Sequence, residues 1–178
     1  MLRIGVLSDT HLGHPGQGMA FLHDLAVRCF DSVDLILHAG DVGDPSVLAA
    51  LTDVPVYAVK GNTDPVDSAL PLKQIVVAGG AKIGLIHGWG SVDGLETRVR
   101  REFSDTGIEC LVYGHSHQPV CHRHHGVLFF NPGSPTDRRS APFHSIGILE
   151  VETEITGRII RLDEETLGAF RSARGRGG

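Results

Sequence analysis

Five short runs of apolar residues, each closed by a glycine or a polar residue, dominate the first two thirds of the chain. Each run is shorter than an ordinary helix, and this length together with the closing residues predicts a buried strand. Near-continuous apolar runs are typical of a sheet that is covered on both faces. The predicted strands are 3–9, 35–41, 56–62, 82–87 and 110–115.

The segments between these strands carry apolar residues at helical spacing. The clearest is 17–30, where apolar positions recur every three or four residues. Asp44 and Pro45 predict the N-cap and the first position of a second, shorter helix. A third helix is predicted over 95–103. Alternating strands and helices predict an α/β layered fold.

The last third of the chain has a different pattern, typical of antiparallel hairpins. His125 and Gly126 lie between two short strand patterns and predict a tight turn. A second hairpin is predicted over 145–162, with its turn at 155–157. The second half is therefore expected to be richer in antiparallel strands than the first.

Length, charge and cysteine content narrow this interpretation. The 178 residues fit one domain, predicted as 1–165, followed by a flexible basic tail, 166–178. The net charge of −5, with both signs mixed, gives no basic field that would indicate nucleic acid. No apolar run is long enough to span a membrane. Three cysteines without a CxxC pair, and no signal-peptide pattern, predict free thiols and a cytoplasmic location.

Seven side chains of the kinds that bind metals lie at or just beyond the ends of the five predicted strands. In open α/β sheets, ligands bind beyond the carboxyl ends of the strands. Carboxylate and amide oxygens mixed with imidazoles suit a pair of divalent cations. Any one of these residues could be a cap, a surface residue or a core residue, but the set at strand ends favours a metal site. The candidate ligands are Asp9, His11, Asp41, Asn62, His87, His115 and His117.

The order and spacing of these motifs resemble those of the calcineurin-like metallophosphoesterase superfamily. The chain is most similar to the small, single-domain phosphodiesterase branch of bacteria and archaea. The resemblance extends from residue 1 to about residue 150. The matching motifs are Asp9-x-His11, Gly40-Asp41-x-x-Asp44, Gly61-Asn62-x-Asp64, His87-Gly88, Gly114-His115-x-His117 and Asn131-Pro132-Gly133-Ser134.

The resemblance implies a four-layer αββα sandwich with mixed sheets and two divalent metal ions per chain at the sheet edge. The expected ligands of one metal are Asp9, His11 and His117. The expected ligands of the other are Asn62, His87 and His115, with Asp41 bridging both. Manganese is the expected metal, with nickel, iron and zinc as alternatives, because a mixed nitrogen and oxygen set suits several first-row metals.

The same resemblance implies hydrolysis of a phosphodiester. A hydroxide that bridges the two metals is expected to attack phosphorus in line with the leaving group. Asp41, Asn62 and His115 are assigned to this catalytic centre, and Asn62 is expected to hold a phosphoryl oxygen. The expected substrate is a small phosphodiester or another phosphate ester, and a homo-oligomer would be unsurprising in this branch.

Two positions depart from the pattern of many relatives. Thr63 stands where a histidine that helps to protonate the leaving group is common. His14 is the remaining candidate for that role. Trp89 stands where another histidine is common, and it either packs a loop or offers its ring to an aromatic leaving group.

Several other polar residues have two open interpretations. Asp64 either supports a metal ligand or shapes the turn that follows it. His38 either supports the site or packs in the core. Arg138 and Arg139 either steer a phosphate or are ordinary surface charges. A group around the first predicted hairpin turn fits no standard zinc pattern and is expected to be solvated; it comprises Cys121, His122, His124 and His125.

Two other functions stay open. The same fold is used by the retromer scaffold subunit, which binds partner proteins and has lost catalytic competence; the full set of metal-type ligands weighs against this function. A nucleotide-specific phosphodiesterase or a nuclease of the same superfamily is the second alternative. The chain has no room for the additional domain that larger nucleases usually carry.

Overall fold

Two five-stranded sheets pack face to face in the computed structural model of the chain, which describes residues 1–51 and 53–168. The helices that accompany them include α1 (Pro15–Cys29), α2 (Leu95–Arg101) and a 3₁₀ helix (Pro45–Leu51). The strands are β1 (Leu2–Leu7), β2 (Leu35–His38), β3 (Val56–Ala58), β4 (Lys73–Ala78), β5 (Ala81–Ile86), β6 (Cys110–Val112), β7 (Val120–His124), β8 (Val127–Asn131), β9 (Ser145–Val151) and β10 (Ile155–Arg161).

Each sheet combines a parallel centre with antiparallel neighbours. The first sheet has the order β10-β9-β1-β2-β3, in which β1, β2 and β3 are parallel. The second has the order β4-β5-β6-β8-β7, in which β5, β6 and β8 are parallel. Since parallel strands end at the same edge of a sheet, the loops after β1, β2 and β3 meet at one edge, and those after β5 and β6 meet at another.

Helices cover the outer faces of both sheets. Leu22 and Leu25 of α1 join the apolar cluster on the first sheet, and Val99 of α2 joins the cluster on the second. A third cluster lies between the sheets, where Val6 and Phe130 are completely buried. These clusters define four layers, helix, sheet, sheet and helix, and the predicted αββα sandwich with mixed sheets is confirmed.

The amphipathic pattern of the first predicted helix is confirmed by α1. Its buried side chains lie on one face, and Pro15 occupies the first turn, where its missing N–H costs nothing. Gly18 of α1 allows the 3₁₀ helix to approach, because a Cβ at this position would lie 2.7 Å from Val47 Cγ1. The predicted second helix is present over Pro45–Leu51, but as a 3₁₀ helix rather than an α-helix.

Two strand predictions differ from the structure. The edge strand β4 was not predicted, because its alternating pattern leaves Ile75 and Val77 exposed and gives no continuous apolar run. The predicted turn at 155–157 is wrong: these residues begin β10, and the turn lies between Val151 and Ile155, which are paired. Ile155 is buried between the sheets, and this burial fixes it within the strand.

The C-terminal part of the described chain packs on the first sheet. Residues 164–168 are helical, and Leu167 is buried in the apolar cluster beneath α1. The rest of the predicted tail lies outside the described residues. The three cysteines are unpaired, as predicted, and the cytoplasmic location stays a prediction. Among the described residues, no helix is both long enough and apolar enough to cross a membrane.

Candidate metal centre

All seven candidate ligands meet in one cluster at the ends of the central strands. One group contains Asp9, His11 and His117, whose ligand atoms lie within 4.8 Å of one another. The Nε2 atom of His117 lies 3.2 Å from Asp9 Oδ1 and 3.3 Å from His11 Nε2. Two imidazole nitrogens and a carboxylate oxygen directed at one point match the donor set that first-row divalent metals prefer.

A second group lies on the other side of Asp41. Asn62 Oδ1 lies 3.1 Å from His87 Nε2 and 2.9 Å from His115 Nδ1. Asp41 Oδ2 lies 3.3 Å from His87 Nε2 and 3.7 Å from His11 Nε2, so this carboxylate faces both groups. The structure therefore brings the two predicted ligand sets together around Asp41, and the division of these ligands between two metals stays a prediction.

Each of the four histidines has one ring nitrogen directed into the site and the other held outside it. His87 donates its Nδ1–H to the carbonyl of Ala39 over 2.7 Å, and His117 donates its Nδ1–H to the carbonyl of Asp137. His115 donates its Nε2–H to the carbonyl of Gly90 over 2.8 Å. A carbonyl can only accept, so these bonds fix the tautomer of each neutral imidazole, in which a lone pair faces the site.

The fourth histidine, His11, has a weaker outer contact. Its Nδ1 lies 3.4 Å from the hydroxyl of Thr63, the residue that replaces a histidine common among relatives. The main-chain N–H of Thr63 donates to Asp41 Oδ1 over 2.9 Å. Thr63 thus contacts two candidate ligands. His14, the candidate acid, is exposed at the N-cap of α1.

The backbone of most candidate ligands is strained. A left-handed conformation costs a non-glycine residue about 1 to 2 kcal/mol, and such residues concentrate at functional sites. This conformation also explains why the strands end before the ligands, since a left-handed residue cannot continue a strand. The five candidate ligands with positive φ are Asp9 (55°), His11 (47°), Asp41 (52°), His115 (69°) and His117 (58°).

Both carboxylates of the cluster are buried and ionised. Burial by itself would raise the pKa of Asp9, but the hydrogen bond from His117 and the charge of His87 lower it. Burial likewise opposes ionisation of Asp41, and its bonds with His87 and Thr63 hold its pKa well below the usual range. Two buried negative charges at the meeting point of both groups make this a site for cations.

Protons compete with metals for this site. Burial would lower the pKa values of His87 and His117, yet the partners Asp41 and Asp9 raise both of them above their usual value. In His11 burial prevails and the pKa is lowered. Because a metal ligand must be a neutral imidazole, binding of a cation would release protons, and its affinity would fall in acid.

Asp64 and His38 both support the loops that carry the ligands. Asp64 accepts the N–H of Gly43 and the N–H of Gly61, each over 2.8 Å, and so connects the loops of Asp41 and Asn62. His38 is fully buried; its Nδ1 accepts the N–H of Gly40 over 3.2 Å. Its Nε2 lies 3.0 Å from the hydroxyl of Thr10, which donates to a carbonyl of the next loop.

Asn131 and the segment after it hold the ligand loops in a way that the sequence did not specify. Buried Asn131 donates to the carbonyl of Gly114 over 3.0 Å, next to His115. Ser134 donates to the carbonyl of Asp9 over 2.8 Å, and Thr136 donates to the carbonyl of Thr10 over 2.7 Å. From the sequence, Asn131 and Ser134 were recognised only as part of a matching motif, without these contacts, and Thr136 was not singled out.

Other sequence candidates lie apart from the ligands or at the rim of the site. Asp44 accepts the N–H of Ser46 and caps the 3₁₀ helix, as predicted. Arg139 donates to the carbonyl of His115 over 3.3 Å, which places this guanidinium beside the ligand loop. His122 is not simply solvated: it stacks on Phe129 and lies 3.0 Å from Glu96.

We predict that His38 makes folding sensitive to mild acid. Burial lowers the pKa of His38 to about 4, whereas the unfolded chain takes up a proton near pH 6.5. Its contribution to stability is therefore intact above pH 6.5 and is lost as the pH falls towards 4. Between pH 7 and pH 5, the wild-type protein should lose about 2 kcal/mol more than His38→Asn.

Urea unfolding of both metal-free proteins at the two pH values would measure this difference. Asparagine cannot titrate and can accept the N–H of Gly40, and it leaves the ligands in place. Equal losses in the two proteins would contradict the prediction.

Comparisons with known proteins identify the family of the chain. The family profile described as the calcineurin-like phosphoesterase superfamily domain matches residues 2–154. A probable metallophosphoesterase of Methanocaldococcus jannaschii is 40% identical over 166 residues, which cover 90% of this chain and 82% of the relative. The chain therefore belongs to the calcineurin-like phosphoesterase superfamily and is a metallophosphoesterase by family.

Two solved structures show the same fold. Vps29 of Chaetomium thermophilum has a TM-score of 0.72 and 21% identity, covering 93% of this chain and 92% of that chain. A protein described as a novel archaeal phosphodiesterase has a TM-score of 0.66 and 22% identity, covering 90% of this chain and 100% of that chain. At these identities the likeness concerns the fold.

Proposed function

We propose that this metallophosphoesterase is a phosphodiesterase that uses two divalent cations. The observation that carries the proposal is the pair of ligand groups that face each other across the carboxylate of Asp41. One cation would be held by Asp9, His11 and His117, and the other by Asn62, His87 and His115. A carboxylate offers two oxygens, so Asp41 can serve both cations.

The donor set fits divalent first-row metals. Four imidazoles, two carboxylates and one amide oxygen suit manganese, and also nickel, iron or zinc. We propose manganese as the working metal. When bound, such a pair of cations acts as a Lewis acid and lowers the pKa of a coordinated water, so that hydroxide is available near neutral pH.

Side chains of the protein would orient the reacting groups and attract the negatively charged substrate. Asn62 is exposed at the edge of the site, where its amide can donate to a phosphoryl oxygen while its carbonyl oxygen faces a cation. His115 would be held in orientation by Gly90, and Asp41 by the N–H of Thr63. Arg139, beside the His115 loop, offers a positive charge for an incoming phosphate ester.

A diester is the proposed substrate class for two reasons. The archaeal neighbour in fold is described as a phosphodiesterase. In addition, Thr63 stands at the position where many members of the superfamily have a histidine for protonating the leaving group. Without that histidine, the reaction favours substrates whose leaving group departs without much help, and small activated diesters meet this condition.

Hydrolysis of bis-p-nitrophenyl phosphate tests the proposed function. Protein stripped of metal should be inactive, and manganese should restore turnover more effectively than magnesium. The diester should be hydrolysed faster than p-nitrophenyl phosphate under the same conditions. Folded, metal-loaded protein that hydrolyses neither compound would favour a partner-binding role instead, and faster hydrolysis of the monoester would contradict the diester preference.

A further inference from the structure

A largely apolar cleft opens directly beside the candidate metal centre. It has a volume of about 370 Å³ and begins at Asn62 and His87. Leu72, Ile86 and Trp89 provide its apolar walls. A substrate whose phosphorus lies over the ligands would therefore have an apolar space next to it.

The loop that carries Trp89 is fixed in place by Arg98 of α2. The guanidinium of Arg98 donates to the carbonyl of Trp89 over 2.9 Å and 3.1 Å, and to the carbonyl of Asp93 over 2.8 Å. Gly88, with φ of 103°, lets the loop turn close to α2, since a Cβ there would lie 2.8 Å from Leu95 Cδ1. The loop that carries the indole is therefore fixed by hydrogen bonds to α2.

The same loop is connected to the metal centre. Gly90, directly after Trp89, accepts the Nε2–H of His115 over 2.8 Å. The backbone of the loop that carries the indole therefore contacts a candidate ligand.

The exposure of the cleft walls favours a ligand that covers them. Trp89 is 43% exposed and Leu72 is 73% exposed, although both are large and apolar. The lysines at the rim are already engaged: Lys73 pairs with Glu102 over 2.6 Å, and Lys60 donates to the carbonyl of Val66 over 2.7 Å. The cleft therefore suits an uncharged group better than a second phosphate.

We propose that this cleft binds an uncharged planar ring of the substrate, an aryl group or a nucleobase, against the face of Trp89. The inference rests on the proposed function, because it places the phosphate of the same substrate at the metal centre. Stacking on an indole adds to the burial of the ring, and together they should strengthen binding about tenfold. The substrate class is then an aryl or nucleoside phosphodiester rather than a purely alkyl one.

Two phosphonates separate the contribution of the cleft from that of the metal centre. Methylphosphonate and p-nitrophenylphosphonate carry the same anionic head, and only the second carries a ring. Trp89 is the only tryptophan of the chain, so quenching of its fluorescence by the nitroaryl ring reports directly on the cleft. Calorimetry on the manganese-loaded protein gives the affinities of both compounds, including those for variants without tryptophan.

In the wild-type protein we expect the aryl phosphonate to bind about tenfold more tightly than methylphosphonate and to quench Trp89. Trp89→Ala should reduce this ratio to about twofold, and Trp89→Phe should restore most of it. Methylphosphonate should bind equally well to all three proteins. Val77→Ala is a matched control, because Val77 is 66% exposed on β4 and should leave the ratio unchanged.

Equal affinities of the wild-type protein for the two phosphonates would overturn this inference while leaving the proposed function intact. An unchanged ratio in Trp89→Ala would overturn it as well. If manganese-loaded protein bound neither phosphonate, the proposed function would fail, and the assignment of the cleft would fail with it.

Discussion

Replacing Asp41 with alanine is expected to lower turnover of bis-p-nitrophenyl phosphate about 1,000-fold and to reduce the bound metal to less than one ion per chain. Asp41 Oδ2 lies between the two ligand groups, 3.3 Å from His87 Nε2 and 3.7 Å from His11 Nε2. Its removal takes one oxygen donor and one negative charge from both positions. Metal analysis of the purified protein and turnover at saturating manganese would measure the two effects.

A second substitution at the same position separates charge from shape. In the wild-type structure the N–H of Thr63 donates to Asp41 Oδ1 over 2.9 Å. Asp41→Asn keeps an oxygen that can accept this N–H but removes the negative charge. We expect it to fold normally and still lose most of its metal and activity, because an amide oxygen is a weaker bridge between two cations. Normal turnover in either variant would remove Asp41 from the proposed mechanism.

Asp44→Ala is the matched control for this experiment. Asp44 is an aspartate of the same loop, but its carboxylate accepts the N–H of Ser46 and caps the 3₁₀ helix. Loss of this exposed cap should lower stability only slightly and leave metal content and turnover almost unchanged. A loss of activity in Asp44→Ala as large as that in Asp41→Ala would show a general effect of disturbing this loop.

Much of the fold could be predicted because its central strands have a clear apolar sequence pattern. β1 and β2 are almost continuously apolar, since a sheet lies on one side and a helix layer on the other. β4 lies at an edge, where half of its side chains face solvent, and its pattern is weaker. The turn before Ile155 was misplaced because tertiary burial, rather than the local Gly157, determines where β10 begins.

The ligand residues of the candidate site could be predicted from the sequence, but the hydrogen bonds that hold them in place could not. Carboxylates and histidines after strands are visible in the sequence, and parallel strands bring them to common edges. The bonds that hold them depend on distant partners: Ser134 reaches the carbonyl of Asp9 across 125 positions of sequence. The main-chain carbonyls of Ala39 and Gly90 orient two of the histidines. Because every residue has such a carbonyl, the residue type does not reveal this role.

Backbone conformation explains why glycines accompany the ligands. Asp41 follows Gly40, which has a φ of 91°, and its own φ is 52°, so two successive residues turn the chain sharply at the end of β2. Close approach of a second loop to this turn then requires Gly61. The motif glycines are thus part of the site geometry.

Gly61→Ala is expected to disrupt the metal centre without removing any ligand. A Cβ at Gly61 would collide with the main-chain N and Oδ1 of Asp41 and lie 2.8 Å from its Cα. Neither backbone can easily move aside, because Asp64 accepts the N–H of Gly61 and the N–H of Gly43. We expect metal affinity to fall about 100-fold, at the upper end of what changes that misorient ligands cause.

The same substitution should also destabilise the fold, by about 1 to 3 kcal/mol as overpacking usually does. Gly16→Ala is the matched control: Gly16 lies in the first turn of α1, where a Cβ would meet nothing within 4 Å. It should leave metal binding unchanged and stabilise the helix by about 0.5 kcal/mol. Calorimetric titration with manganese and urea unfolding of both variants would measure these effects. If Gly61→Ala bound manganese as tightly as Gly16→Ala, the close contact between the Asp41 and Asn62 loops would not determine the geometry of the site, and the two ligand groups would have to be positioned by the strands alone.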